Sequence, residues 1–384
     1  MIDRATFVRD RFTVLGYGSL VVFSLAMSAV GPAMPLIRSD LGISRTVGGL
    51  HFTALAAGSV IAGLGTERLI AARSRRWAVT AGGTGVAVGG LVVALGPHPA
   101  LTIAGALVFG TFGNVLLVSI QAALSDHHGP ARATVITEAG ALMSLVFLVP
   151  GLVLGALGFF GAGWRPVFVL PLLAWLIVVR PLMGALEPMH EEQPSDVSEG
   201  RRRGYRPAFW ALMLAVAIEW SIAGWAAGYL VDRGGLSESA AAAAAVAFYA
   251  SMALGRFVGS RLTQRLPIAV LLPWAVAVAL VGFMVFWQAP GVLGLMAGRG
   301  VAGLGVALLF PLVTAALFEA APGAANRASA HVSLAGGTAV MIAPLTLGAL
   351  ADRWGLRPAF GGVLVLILAL AVTVLWWRSV ADTG

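Results

Sequence analysis

"AVAIEWSIAGW", residues 215–225, sets one glutamate in the middle of an apolar run, and the nearest other charged residues are Arg206 and Asp232. A carboxylate placed among hydrocarbon is costly. Either a water-soluble core swallows Glu219, or the run crosses a membrane. Composition decides. The chain of 384 residues is 59% hydrophobic and only 11% charged, with a mean hydropathy of +0.90. A soluble globular domain carries roughly 25% charged residues. A water-facing fold cannot hide this much apolar surface, so the solvent of this chain is lipid.

A helix needs about 20 apolar residues to cross the hydrocarbon. Twelve stretches qualify, at 12–36, 46–66, 77–96, 101–124, 133–158, 165–184, 208–230, 239–262, 268–288, 291–317, 327–350 and 358–377. They are long, unbroken and rich in Leu, Ala and Gly, which predicts helices; strands of a barrel would be shorter and would alternate. The fold class expected is an all-α polytopic membrane protein.

All 25 basic residues are arginine, and cysteine is absent, which removes disulfide and thiolate chemistry. The net charge of +8 does not point to nucleic acid, because the arginines lie between the spans. With the N-terminus inside, 17 arginines fall in cytoplasmic segments and six in outer ones. That bias places both termini in the cytoplasm. The first apolar stretch is longer than a signal-peptide core and lacks a small-residue cleavage site, so it reads as a span. The location expected is the cytoplasmic membrane of a bacterium.

One segment breaks the pattern. "EPMHEEQPSDVSEGRRRGYRP", residues 187–207, is acidic and then basic and reads as a cytoplasmic linker. It divides the chain into an N-terminal half, 1–186, and a C-terminal half, 208–384, of six spans each. The halves echo one another. "LGALGFFGAGWRPVF" ends at Phe168 and "LGALADRWGLRPAF" at Phe360, and a proline precedes each LGAL, at Pro150 and Pro344. Internal repeats on this scale mark transporters whose halves rock about a central site.

Twelve helices in two related halves joined by a polar loop resemble the major facilitator superfamily, across nearly the whole chain. The loop after the second span, "GLGTERLIAARSRR", resembles the family's Gly-x-x-x-Asp-Arg-x-Gly-x-Arg-Arg signature, with Gly63, Glu67 and Arg68 in place and the second glycine missing. Gly348, Asp352, Arg353, Gly355 and Arg357 fit the bare pattern better, but after span eleven, on the outer side by the count above. Either that is a structural loop or the topology is off by one span. In span ten, Arg299, Gly303 and Gly305 resemble an Arg-x-x-x-Gly-x-Gly motif whose usual place is span four, where this chain has no arginine. Pro150, Gly151 and Gly155 in span five are out of register with the antiporter-type pattern.

Ionisable groups inside spans are functional candidates by default. Glu219 stands about 12 residues into span seven, roughly 18 Å deep, where such folds place substrate. A carboxyl there binds a proton or a solute, or else locks two helices by pairing with an arginine. The spacing from Glu219 to Trp225 and Tyr229 is similar to that in some sugar-transporting members of the superfamily. Arg256 is expected in a structural salt bridge near the end of span eight. Arg299 is a gating residue or a helix lock, and Glu138 is expected to pair with Arg256 or to join an inner gate. His51 and His331 read as hydrogen-bonded packing residues. In "DHH", 126–128, a metal site is disfavoured: adjacent histidines diverge and no third ligand is near in sequence. "GGTGVAVGG", 82–90, lacks the Gly-Lys-Ser/Thr of a phosphate loop, and the glycines are expected to pack helices closely.

By analogy with the superfamily, spans one, four, seven and ten line the cavity. The expected lining is Met27, Asn114, Gln121, Glu219, Trp225, Tyr229 and Phe310, with a bend at Pro311. So few charges disfavour a polyanionic substrate and suit a neutral or weakly charged organic solute, sugar-like or drug-like. Glu67, Arg68, Glu138, Arg256, Arg299 and Asp352 are the expected gating or structural charges. The reading is a secondary active transporter: a monomer in lipid, moving a small solute with protons, without cofactor or metal. Export by proton antiport and uptake by symport both stay open. A receptor or scaffold would normally show a sizeable domain outside the membrane, and a membrane enzyme a catalytic constellation; the sequence has neither.

Overall fold

The computed structural model describes residues 8–185, 204–321 and 325–381; the side chains of Glu67, Arg68 and Arg327 also lie outside the description. Among the described residues twelve helices are long and apolar enough to cross a membrane. They are α1 (Arg11–Leu41), α2 (Arg45–Ala72), α3 (Arg75–Leu95), α4 (Pro99–His128), α5 (Thr134–Phe159), α6 (Arg165–Ala185), α7 (Tyr205–Gly234), α8 (Glu238–Leu262), α9 (Ile268–Gln288), α10 (Val292–Glu319), α11 (Ala325–Trp354) and α12 (Leu356–Ala381). Each coincides with one expected span. The 187–207 linker lies outside the described residues up to 203, and its last three residues already belong to α7.

Helix ends follow local chemistry. Ser74 caps α3 by accepting from the Trp77 N–H, and Ser237 caps α8 by accepting from the Ala240 N–H. Asp10 caps α1, accepting from the Thr13 N–H at 2.8 Å and from its hydroxyl at 2.6 Å. Partial burial alone would push the Asp10 carboxyl up, but the Thr13 and His127 hydrogen bonds outweigh it and hold the group at about 2. Two spans are interrupted. The helix of α5 breaks between Val146 and Val149, just before Pro150, which has no N–H to continue the ladder. That of α8 breaks at Ala245.

The contacts divide the chain into two compact units: Met1–Val30 with Ala54–Glu192, and Gly31–Thr53 with Gln193–Gly384. The end of α1 and the start of α2 therefore pack with the C-terminal helices.

Each unit holds one tight pair of consecutive helices, and glycine makes both. In the first, a methyl group on Gly82 would sit 2.7 Å from the Leu116 backbone nitrogen, and one on Gly89 would sit 2.6 Å from that of Phe109. In the second, methyl groups on Gly282, Gly298 and Gly305 would collide with the backbones of Ala302, Phe286 and Ala279. Helices in lipid gain little from hydrophobic burial and associate through close backbone approach. The pairs α3–α4 and α9–α10 are counterparts in the two halves.

The internal repeat is also a structural one. Gly163 has φ +67° and Gly355 has φ +82°, a region that side chains disfavour. Each is followed by a residue and then Arg-Pro, which starts the next helix, and by a Phe that is buried in its unit, Phe168 and Phe360.

Gly282→Val should separate α9 from α10 and cost about 1–3 kcal/mol. Tryptophan fluorescence on heating should show a lower unfolding temperature. Gly140→Ala, at a site with nothing within 4 Å of the added methyl, should not lower it.

Candidate functional site

Three charged residues of the second unit, Glu219, Arg256 and Arg299, lie on the neighbouring helices α7, α8 and α10. Glu219, halfway along α7, approaches Arg256 of α8 at 3.9 Å. That is an ion pair without a hydrogen bond. Its side chain keeps 20% of its exposure. Tyr249, two turns before Arg256, is within electrostatic reach of both Glu219 and Arg299. Arg299 of α10 is fully buried. Its Nη1 donates to the Ala244 carbonyl at 3.2 Å, at the break in α8, and the guanidinium lies 5.6 Å from the Phe248 ring centroid. A broken helix leaves a carbonyl without its usual partner, and Arg299 supplies one. Its Nε and Nη2 have no hydrogen-bond partner. Arg299 thus connects α10 to α8.

Trp225 and Tyr229 have other duties. The Trp225 Nε1–H donates to the Pro344 carbonyl at 2.8 Å, and the Tyr229 hydroxyl donates to the Trp287 carbonyl at 2.7 Å. Both are fully buried, Tyr229 between Phe286 and Phe360. Positions +6 and +10 stand roughly a hundred degrees round the helix from Glu219, whose own face is at +7 and +11, and that offset carries both side chains to other partners. Phe310 is half-buried, and α10 continues through Pro311 without interruption.

In the first unit, Met27 and Asn114 each meet a neighbouring helix. The Met27 methyl would lie 3.0 Å from a methyl on Gly113, and Asn114 Nδ2 donates to the Ser59 hydroxyl of α2 at 2.5 Å. Gln121 lies two turns along α4 from Asn114, on the same face, and is half-buried. Glu138 is held by Arg9, whose Nε donates at 3.0 Å and whose Nη2 reaches the other oxygen, and by the Tyr17 hydroxyl at 3.0 Å. The Arg256 expected for Glu138 instead stands by Glu219; each charge has a partner within its own unit. His51 and His331 do pack: His51 Nδ1 bonds the Val47 and Gly48 carbonyls, and His331 bonds the Tyr205 hydroxyl at 2.6 Å.

Asp352 has a defined task. Its Oδ1 accepts from the Arg45 N–H at 2.8 Å, and its Oδ2 accepts from the Thr46 N–H at 2.7 Å and the Thr46 hydroxyl at 2.6 Å. A carboxylate at the end of α11 thereby caps the first turn of α2, where unpaired N–H groups and the helix dipole favour negative charge. Arg45 also reaches Asp232 of α7 at 2.6 Å. Below this clasp, a methyl group on Gly348 would sit 2.6 Å from the Arg45 carbonyl, and one on Gly49 would sit 2.8 Å from Leu345 Cα. The ends of α1 and α11 share one side, as the span count requires. In the motif at 348–357, Asp352 therefore makes a structural contact with α2.

Sequence reading missed the clasp partners Thr46 and Asp232, and also Tyr17, Ser59 and Tyr249. It missed the convergence of Asp10 with His127 and His128 as well. Only the Asp10-x-x-Thr13 capping pattern was a readable local signal.

A bundle of twelve apolar helices with loosely paired charge inside it is the frame of a polytopic membrane carrier. The family comparison agrees. The model for the Major Facilitator Superfamily matches residues 17–287 and 209–384, and the chain belongs to that superfamily. An uncharacterised MFS-type transporter of Yersinia pestis is 24% identical over 372 residues, covering 92% of each chain. Among solved structures, a bacterial homologue of the human lysosomal transporter Spinster, inward-facing and occupied, matches with TM-score 0.73 and 16% identity over 96% of both chains. A POT peptide transporter in complex with sulfate matches with TM-score 0.77 and 14% identity, over 98% of this chain and 97% of that one. A mutant of the nucleoside transporter NupG matches with TM-score 0.77 and 13% identity, over 96% of this chain and 100% of that one. The chain is a membrane transporter of small molecules, not an enzyme.

Removing the clasp should loosen the start of α2. The chain has no cysteine, so spin labels at Asp40→Cys and Trp354→Cys report one distance without background. In Asp352→Ala that distance distribution should shift to longer values, whereas in Asp126→Ala it should not.

Proposed function

We propose that the chain is a proton-coupled secondary transporter of a neutral or weakly charged organic solute, working by alternating access in the cytoplasmic membrane with both termini inside. The observation that carries this reading is Glu219: a carboxylate midway along a membrane-spanning helix, with an arginine at 3.9 Å and no hydrogen bond to it. A group held so loosely can exchange its proton. When the carboxylate takes a proton from water on one side, its attraction to Arg256 falls, and α7 and α8 lose an electrostatic tie. Release of that proton on the other side restores it. Arg299, fixed to the Ala244 carbonyl, does not take part in this exchange. The clasp of Asp352 on α2 supports the second element of the proposal, a closure built from a few polar contacts that can break and reform. Such a closure costs little to open because each hydrogen bond contributes only about 1 kcal/mol net, or up to about 3 with a charged partner.

The test uses purified protein in liposomes with an imposed pH gradient and a panel of sugars and amphiphilic drugs. A transported compound should accumulate, or be expelled, according to the sign of the gradient. Glu219→Gln, which cannot exchange a proton, should abolish movement driven by the gradient and leave exchange of solute across equal pH. If Glu219→Gln behaves as the parent protein in both assays, the proton-coupling role is refuted.

A further inference from the structure

The start of α1 and the end of α4, both within the first unit, bring together three metal-ligating groups that the transport cycle does not use. Asp10 spends Oδ1 on the Thr13 cap and turns Oδ2 toward His127 Nε2 at 2.6 Å. His128 Nε2 lies 2.7 Å from the Thr13 hydroxyl. The ligating atoms of Asp10, His127 and His128 all fall within 4.8 Å of one another. Consecutive residues on a helix point about 100° apart, so two neighbouring imidazoles rarely share a target. Here α4 stops at His128 and the backbone turns at Gly129, with φ +44°. The two rings stand edge to face, 4.9 Å between centroids, with both Nε2 atoms turned to the start of α1.

We propose that Asp10 Oδ2, His127 Nε2 and His128 Nε2 bind a divalent late-transition metal ion of the zinc class, stapling the start of α1 to the end of α4. Two imidazoles and one carboxylate suit zinc, cobalt or nickel rather than magnesium or calcium. Around an ion with bonds of about 2.0–2.1 Å, tetrahedral ligands sit about 3.3 Å apart. The ligating atoms, which lie within 4.8 Å of one another, would draw in to that spacing around the ion. Asp10 and His127 keep 41% and 38% of their side-chain exposure, so an ion can enter and water can fill a fourth position. Asp126 is not a ligand, since Arg75 holds it at 2.6 Å. With the ion bound, Thr13 keeps its hydrogen bond to Asp10 Oδ1 and gives up the one to His128.

The test needs the full chain in detergent with any polyhistidine tag removed, and no transport assay. Cobalt(II) is titrated and followed by visible absorption, and zinc is then added in competition. The expected result is one saturable cobalt site per chain with four-coordinate absorption, displaced by zinc. His127→Ala and His128→Ala should each weaken binding at least about tenfold, since even outer partners of a metal ligand are worth that much. Asp126→Asn should leave it unchanged. Zinc should also raise the unfolding temperature of the parent protein and not that of the His127→Ala/His128→Ala pair. Should Asp10→Ala fail to fold for loss of the α1 cap, the two histidine variants decide alone. The proposal is overturned if no saturable site is found, or if the double histidine variant binds cobalt as the parent does.

Discussion

Backbone-to-backbone contact at glycine is the constraint on which this structure rests. In water, two amphipathic helices associate because their apolar faces leave the solvent. In lipid that gain vanishes, and association depends on dispersion and on polar contacts that need short distances. The α3–α4 and α9–α10 pairs obtain those distances by having no side chain where they cross. Each pair forms within a short stretch of chain, so each unit has a rigid centre against which its other helices are set. In the second unit α8 leans on α10 through Gly303, which faces Ser251 and Phe248, and Arg299 then fastens the break in α8.

With helices set by glycine, charge is free for other work, and three charge groups use it differently. Arg9, Tyr17 and Glu138 form a fully bonded cluster, which is rigid. Asp352 spends its two oxygens on three donors of α2, which is directional but polar and reversible. Glu219 and Arg256 face each other across a longer gap. Of the three, only this last arrangement leaves a carboxylate oxygen uncommitted, and it lies on α7, in an apolar run with no other charge between Arg206 and Asp232.

Much of the fold was legible because lipid imposes a single rule on every span. Each of the twelve helices came from a run of apolar residues, and the Gly-x-Arg-Pro-x-Phe repeat marked two equivalent turns. The helix breaks at Val146 and Ala245 were not legible in the same way. Pro150 announced the first, whereas "AAAAAVAF" offers no breaker for the second, which depends on the partner that Arg299 provides. The site was legible in part. Glu219 stood out by charge alone. Trp225 and Tyr229 did not join it, because spacing along a helix fixes direction while the neighbours that receive a side chain come from distant sequence: Pro344 and Trp287. The Asp10, His127 and His128 cluster was invisible for the same reason, as 117 positions separate its carboxylate from His127.

The turns at Gly163 and Gly355 bear on what an internal repeat means. Between them the two halves share a left-handed glycine, an Arg-Pro helix start and a buried phenylalanine; the glycine answers the positive φ and the proline the first turn of a helix. Where the two halves match, the match falls at a turn whose dihedral angle restricts the residue, so the repeat also locates the points at which the chain must change direction between neighbouring spans.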